Sequence, residues 1–147
     1  MEELIIVTNN PRLQAVENRD FRIERMASLQ QVLQRSRDLV HQGAKLVSHP
    51  LAGSLKPWQN PYRSIGLKSG EELDFSSLKI MENALEKYRI FGRKQDVLKR
   101  QADQMKLAED FSRIDLELIT NVLPEKHSFK KNNAVRGEKI EAGSGKN

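Results

Sequence analysis

Apolar positions along the chain follow two kinds of pattern, and each points to a different element. LIIVT, residues 4–8, is a short continuous apolar run that stops at NNP. A strand buried on both faces reads this way, because neither side of it meets water. FRIERM, residues 21–26, instead alternates apolar and charged positions, which is the period of an edge or half-exposed strand. AKLVS (44–48) and SIGLK (64–68) are further short runs and predict two more buried strands.

Helical spacing fills the intervals. PRLQAVEN, after the first run, predicts a short helix. Leu29, Val32, Leu33, Ser36, Leu39 and Val40 fall on one stripe, the signature of a helix packed on a core. Ser28 with Gln31 supplies a capping-box pair, and Gly43 a left-handed stop. SGEELDFSS opens a second helix with Asp74 or Ser76 as cap. Leu78, Met81, Leu85 and Tyr88 form its core side, and Gly92 ends it. RKQDVLKRQADQMKLAED (93–110) is charged and helical. In FSRIDLELITNVL, Ser112 and Asp115 repeat the capping signal, so a new helix is expected there, stopped by Pro124. Its Ile114, Leu116, Leu118, Ile119, Val122 and Leu123 lie on more than one side. That helix is either clamped in the core or part of a homodimer interface. DFSSLKIMENALEK and DFSRIDLELITNVLPEK look alike, but shared capping chemistry accounts for this without duplication.

Strand–helix alternation predicts an α/β fold: a small, mostly parallel sheet of about four strands flanked by helices, with C-terminal helices. The length of 147 residues suits one core. We assign residues 1–124 to a single domain. Residues 125–147 form a basic tail with few core-forming residues, which reads as disordered.

Charge changes this picture little. The net charge is +5, and from Glu125 onward six basic residues face three acidic ones. The tail thus holds +3, and the body is left with +2. A nearly balanced body and 5% aromatic residues make nucleic acid the least favoured partner. No apolar run approaches the roughly 18 residues of a membrane span, and the acidic start with its short apolar run is not a signal peptide. A cytoplasmic protein is expected, with no membrane partner. The chain has no cysteine, which excludes disulfides, thiolate nucleophiles, zinc–thiolate sites and iron–sulfur ligation.

Candidate chemistry gathers at two strand ends. TNNP follows the first buried strand, and SHPLAGSLKPWQNPYRS (48–64), with three prolines, follows the third. If these strands run the same way, Thr8, Asn9, Asn10, Ser48, His49, Gly53, Ser54 and Lys56 meet on one rim, with Tyr62 nearby. Hydroxyls, amides, an imidazole, an ammonium and glycine-exposed N–H groups suit a carboxylate or phosphate. The structural alternative is a turn at Asn9–Asn10 and prolines that only brace a loop. Trp58 and Tyr62 either anchor a partner or pack down on the rim. AGSLKP lacks the spacing of a phosphate loop, and there is no G-x-G-x-x-G or G-x-S-x-G. His41, His49 and His127 are scattered in sequence, so no metal site and no cofactor are expected. His41 suits a helix C-terminus; His49 could serve as an acid–base group.

LIIVTNNP, then AKLVSHPLAGSLKPWQNPYRS, LDFSSLKIMENAL and IDLELI resemble the GrdX-type proteins, encoded alongside glycine, sarcosine and betaine reductase systems of anaerobic bacteria. The resemblance runs from about residue 1 to residue 123. It implies an accessory to anaerobic amino-acid reduction, with reductase subunits or a small anion as partners, and defines no catalytic residues. A cysteine-free chain agrees with an accessory, since it cannot carry a thiol or selenol step. The alternative is a small α/β enzyme using His49 as acid–base on a carboxylate or phosphate substrate.

Overall fold

The computed structural model describes residues 3–13, 21–51, 60–92 and 108–122. Four strands form one sheet in the order β2-β1-β4-β3, where β1 is Leu4–Thr8, β2 Phe21–Arg25, β3 Lys45–Leu46 and β4 Ser64–Lys68. Helix α1 (Leu29–His41) and helix α2 (Phe75–Lys87) pack on one face, and helix α3 (Ala108–Val122) on the other.

This layering follows from the alternation of side chains along a strand. In β1, Ile5 and Val7 enter the core beneath α1 and α2, together with Ile65 and Leu67 of β4. Leu4 and Ile6 face the other way and pack with Leu13, Phe21, Leu116 and Ile119. All five β1 residues are buried, so a continuous apolar run is what this central strand requires. Gly66 lies between Val47 and Ile119, and a Cβ there would stand 2.9 Å from Val47 Cγ2. Glycine leaves room there for Val47, while Ile119 of α3 would stand at an ordinary 3.5 Å.

The expected mostly parallel sheet is corrected to a mixed one. Among the described residues, only β1 and β2 pair in parallel; β4 is antiparallel to both β1 and β3. A parallel return needs a crossover, usually helical. The connection from β3 to β4 carries Pro50, Pro57 and Pro61, residues that interrupt helix, and β4 comes back antiparallel. β3 is also shorter and more exposed than AKLVS suggested, with only Lys45–Leu46 in the ladder. Val47 and Ser48 both donate their N–H to the Gly66 carbonyl, at 2.9 and 3.4 Å. Two residues opposite one is a β-bulge, which ends the pairing and re-aims the chain beyond it.

The helices match their stripes. Every residue of the α1 stripe is buried. Ser28 Oγ accepts from Gln31 N–H, while Gln31 Oε1 accepts from Ala27 N–H, a capping box reaching one residue further back. Gly43 has φ +110°, and a Cβ there would lie 2.4 Å from the Gly70 carbonyl oxygen. Both conformation and space therefore demand glycine at this stop. Asp74 caps α2, accepting from Ser77 N–H and Oγ–H, and this holds its carboxyl below the ordinary range. Met81 and Tyr88 are buried, while Leu78 and Leu85 pack on the core's edge. A π-helical turn, Tyr88–Gly92, comes next. Glu24 on β2 receives a two-pronged bond from Arg35 of α1, 2.6 and 3.2 Å, which depresses its carboxyl and ties the sheet edge to the helix.

Two expectations change at the chain's ends. PRLQAVEN gives a 3-10 turn, Pro11–Leu13, and its remainder lies outside the described residues. α3 already runs through Ala108–Phe111, so Ser112 and Asp115 lie inside it and are not its cap. Ser112 Oγ donates back to the Glu109 carbonyl, a bond open to serine inside a helix. Residues 93–107 and the tail 125–147 also lie outside the described residues.

Ser36 is fully buried, and its Oγ has no hydrogen-bond partner among the described residues. An unpaired buried hydroxyl costs about 1–3 kcal/mol. Ser36→Ala is therefore expected to stabilise the domain by about 1 kcal/mol in urea unfolding; a loss of stability would mean that the hydroxyl is bonded.

Candidate functional site

Thr8 and Ser64 sit directly opposite each other in the β1–β4 register, on the face that carries Leu4 and Ile6. Their hydroxyl oxygens are 2.7 Å apart. Asp115 of α3 comes down over them. Its Oδ1 accepts from Ser64 N–H at 2.9 Å, and its Oδ2 accepts from Ser64 Oγ–H at 2.6 Å and from Asn10 Nδ2–H at 2.9 Å.

These bonds fix every proton. Ser64 has one hydroxyl hydrogen, and Asp115 takes it. Thr8 must then donate to Ser64 Oγ, which leaves Thr8 Oγ1 to accept from Asn10 N–H at 2.9 Å. Asn10 spends its second amide hydrogen on the Ser112 carbonyl, 2.8 Å, and its Oδ1 accepts from Arg12 N–H. The result is a closed ring: Asn10 backbone to Thr8 to Ser64 to Asp115, and back to the Asn10 side chain. Burial pushes the Asp115 carboxyl above its ordinary value, against the pull of Ser64, Asn10 and the positive Arg63.

A hydroxyl bonded to a carboxylate could serve as a nucleophile in an open site. Here Thr8 and Asn10 are 0% exposed, Asp115 3% and Ser64 7%. With each polar atom of the ring already matched, its chemistry is that of a clamp between α3 and the sheet. Other bonds reinforce it. Arg12 Nε donates to Ser112 Oγ, and Asn60 Nδ2 to the Phe111 carbonyl.

β1 and β3 do point the same way, since both oppose β4. The described members of the two polar clusters nonetheless do not form one site, and His49 lies with α2. Asn9 prolongs the β1–β4 pairing, donating to the Pro61 carbonyl and accepting from Arg63 N–H at 2.7 Å. Ser48 Oγ accepts from Gly66 N–H at 2.8 Å. Tyr62 is half-buried, and its N–H goes to Asn60 Oδ1. His49 turns to the α2 side, where it lines a cleft of about 640 Å³ with Lys79, Ile80, Glu82 and Asn83. Gly53, Ser54, Lys56 and Trp58 lie outside the described residues.

The loop around His49 is held on both sides. Arg63, itself buried, donates from Nη1 to the Pro50 carbonyl at 2.7 Å. Pro50 is buried and Leu51 packs against the core. Leu51 N–H donates to His49 Nδ1 at 3.0 Å, so the neutral ring carries its proton on Nε2. His49 is the exposed residue of a fixed segment. His41 stands at the end of α1 with Nε2 3.5 Å from Glu82.

Sequence reading missed Ser64, Arg63, Asp115, Lys79 and Asn83. A signal existed for Asp115: with Ser112, Leu116, Ile119 and Thr120 it occupies the buried stripe of α3, where an unpaired carboxylate would be too costly. That helix is both core and surface, because Ile114 and Val122 on its outer side are 49% and 43% exposed. Among the described residues, no helix is long and apolar enough to cross a membrane.

Residues 5–124 match the family model described as GrdX-like protein. No curated protein and no solved structure matches the chain.

Asp115 generates a pH signature. A carboxyl raised on folding binds its proton more tightly in the folded state, so stability is lost as pH rises through the window above its ordinary 3.8. Asp115→Asn removes this dependence and places an amide against the Ser64 and Asn10 donors. The variant is expected to lose about 2–4 kcal/mol at neutral pH. Its deficit relative to wild type should widen as urea unfolding is repeated toward pH 4; a constant or shrinking deficit would contradict the raised carboxyl.

Proposed function

The chain belongs to the GrdX-like protein family, and on that premise we propose that it is a non-catalytic accessory of glycine, sarcosine and betaine reductase systems. It meets a reductase subunit through the fixed loop at residues 48–51 and the adjoining face of α2. The observation that carries this reading is the division of the strand-end residues. The hydroxyl–carboxylate set that could have done chemistry is sealed and saturated. The exposed group beside it, His49, is presented on a braced loop, which suits recognition because little order is lost on binding. A chain without cysteine is also suited to assist thiol or selenol chemistry, not to perform it.

A second reading has one observation in its favour. Leu51 N–H holds the His49 ring through Nδ1 and leaves Nε2 outside that bond, on a residue that lines the cleft, and an acid–base group needs such a nitrogen. On that reading the protein is a small enzyme acting on a carboxylate or phosphate. The exposed outer side of α3, with Ile114 and Val122, is where a homodimer would form.

Immobilised protein presented with purified reductase subunits should retain at least one of them with micromolar affinity. His49→Glu and Leu51→Asp should each weaken that binding tenfold or more while thermal unfolding stays cooperative. Retention of no subunit, or equal retention by both variants, would remove this docking face.

A further inference from the structure

We infer that the cleft between His49 and α2 is a receptor for a short-chain monocarboxylate, with Lys79, Asn83 and His49 as its donors and Ile80 as its apolar wall. The cleft lies on the face proposed above for subunit docking, but the inference needs no reductase subunit and does not involve the buried ring.

The cleft's lining has the parts that such a ligand needs. Lys79 and Asn83 are one helical turn apart on α2, and Glu82 lies between them in sequence. Residues spaced by four stand on one face of a helix, so an ammonium and an amide present donors side by side. His49 lines the same cleft, and its neutral ring carries its proton on Nε2, because its Nδ1 accepts from Leu51 N–H. Among the described residues neither the Lys79 nor the Asn83 side chain has a hydrogen-bond or ion-pair partner. An ammonium, an amide and an imidazole thus line one cleft, and its one carboxylate, Glu82, lies 3.5 Å from His41 Nε2.

Charge and shape narrow the ligand. Lys79 supplies a positive charge and Glu82 a negative one, the latter drawn toward His41 at 3.5 Å. One carboxylate brings a single negative charge to a lining that already holds Glu82, whereas a phosphate dianion would bring two. Ile80 offers a surface for an alkyl chain, and a volume of about 640 Å³ lies within the roughly 300–1,000 Å³ of small-molecule sites. The segment that carries the His49 donor is also pre-placed. Ser48 is held by Gly66 N–H, Pro50 by Arg63, and Leu51 by the core and the imidazole, so the His49 side needs little rearrangement to bind.

The test is a titration of isotope-labelled full-length protein with sodium butyrate, sodium acetate, sodium phosphate and sodium chloride, followed by amide resonances. Butyrate should produce saturable shifts centred on Leu51 N–H and the Asn83 side-chain amide. It should bind about three- to tenfold more tightly than acetate, as two methylenes against an apolar wall require. Lys79→Met, a substitution on the exposed face of α2, should weaken butyrate at least tenfold with the remaining spectrum unchanged, and His49→Phe should weaken it as well. Shifts that persist in Lys79→Met, that chloride reproduces, or that phosphate matches in affinity would overturn the assignment. Subunit capture does not depend on this outcome, so either result can fail alone.

Discussion

The fold turns on one buried carboxylate. Asp115 is the point at which α3, β4 and the residues after β1 are joined, and its three bonds come from Ser64 twice and Asn10 once. α3 brings few large apolar side chains to the sheet, with Leu116 and Ile119 its buried ones. Apolar packing fixes that a helix covers this face, but two side chains define its rotation and register weakly. The ring supplies what packing lacks, since its hydrogen bonds are directional and each has one arrangement that leaves no donor idle. A carboxylate buried without such partners would cost several kcal/mol, about enough to undo the helix's contribution.

That constraint reaches the surface loop through the backbone. Ser64, whose N–H binds Asp115, follows Arg63, whose guanidinium holds the Pro50 carbonyl and lends its charge to Asp115. Asn9 grips Arg63 and Pro61 from the other side. The segment bearing His49 is thus anchored to the same strand end as the ring, although the two face opposite sides of the sheet. A bulge at Val47 and Ser48 makes this separation, by ending β3 and turning the chain toward α2.

Much of this was legible in the sequence where the signal is local. A continuous apolar run in β1 meant burial on both faces, and a six-residue stripe meant α1. Ser28, Asp74 and Gly43 announced their ends because capping and left-handed turns depend on one or two residues. Sheet direction was not legible, since strand polarity is decided by how a connection returns and not by the strand itself. β3 read as a buried strand because AKLVS is apolar, yet an edge strand cut short by a bulge has the same composition. Asp115 and Ser112 imitated a cap. The same residue types serve as caps and as buried pegs, and only the partner, 51 residues away at Ser64, distinguishes the two.

The candidate site divides along the same line between local and distant information. Thr8, Asn9 and Asn10 were recognisable as polar residues at a buried strand's end, which made them equally suitable as ligands' partners or as the protein's own. Register decides between these. Thr8 faces Ser64 across the sheet, and once α3 brings Asp115 to them the donors are consumed internally. His49 escapes that fate because the bulge sends it over the other face, where the neighbouring α2 offers further donors and no acceptor for them apart from Glu82. A strand rim therefore yields a clamp on one side and an open cleft on the other. The difference comes from which helix lies opposite, not from the kind of residue the strand end carries.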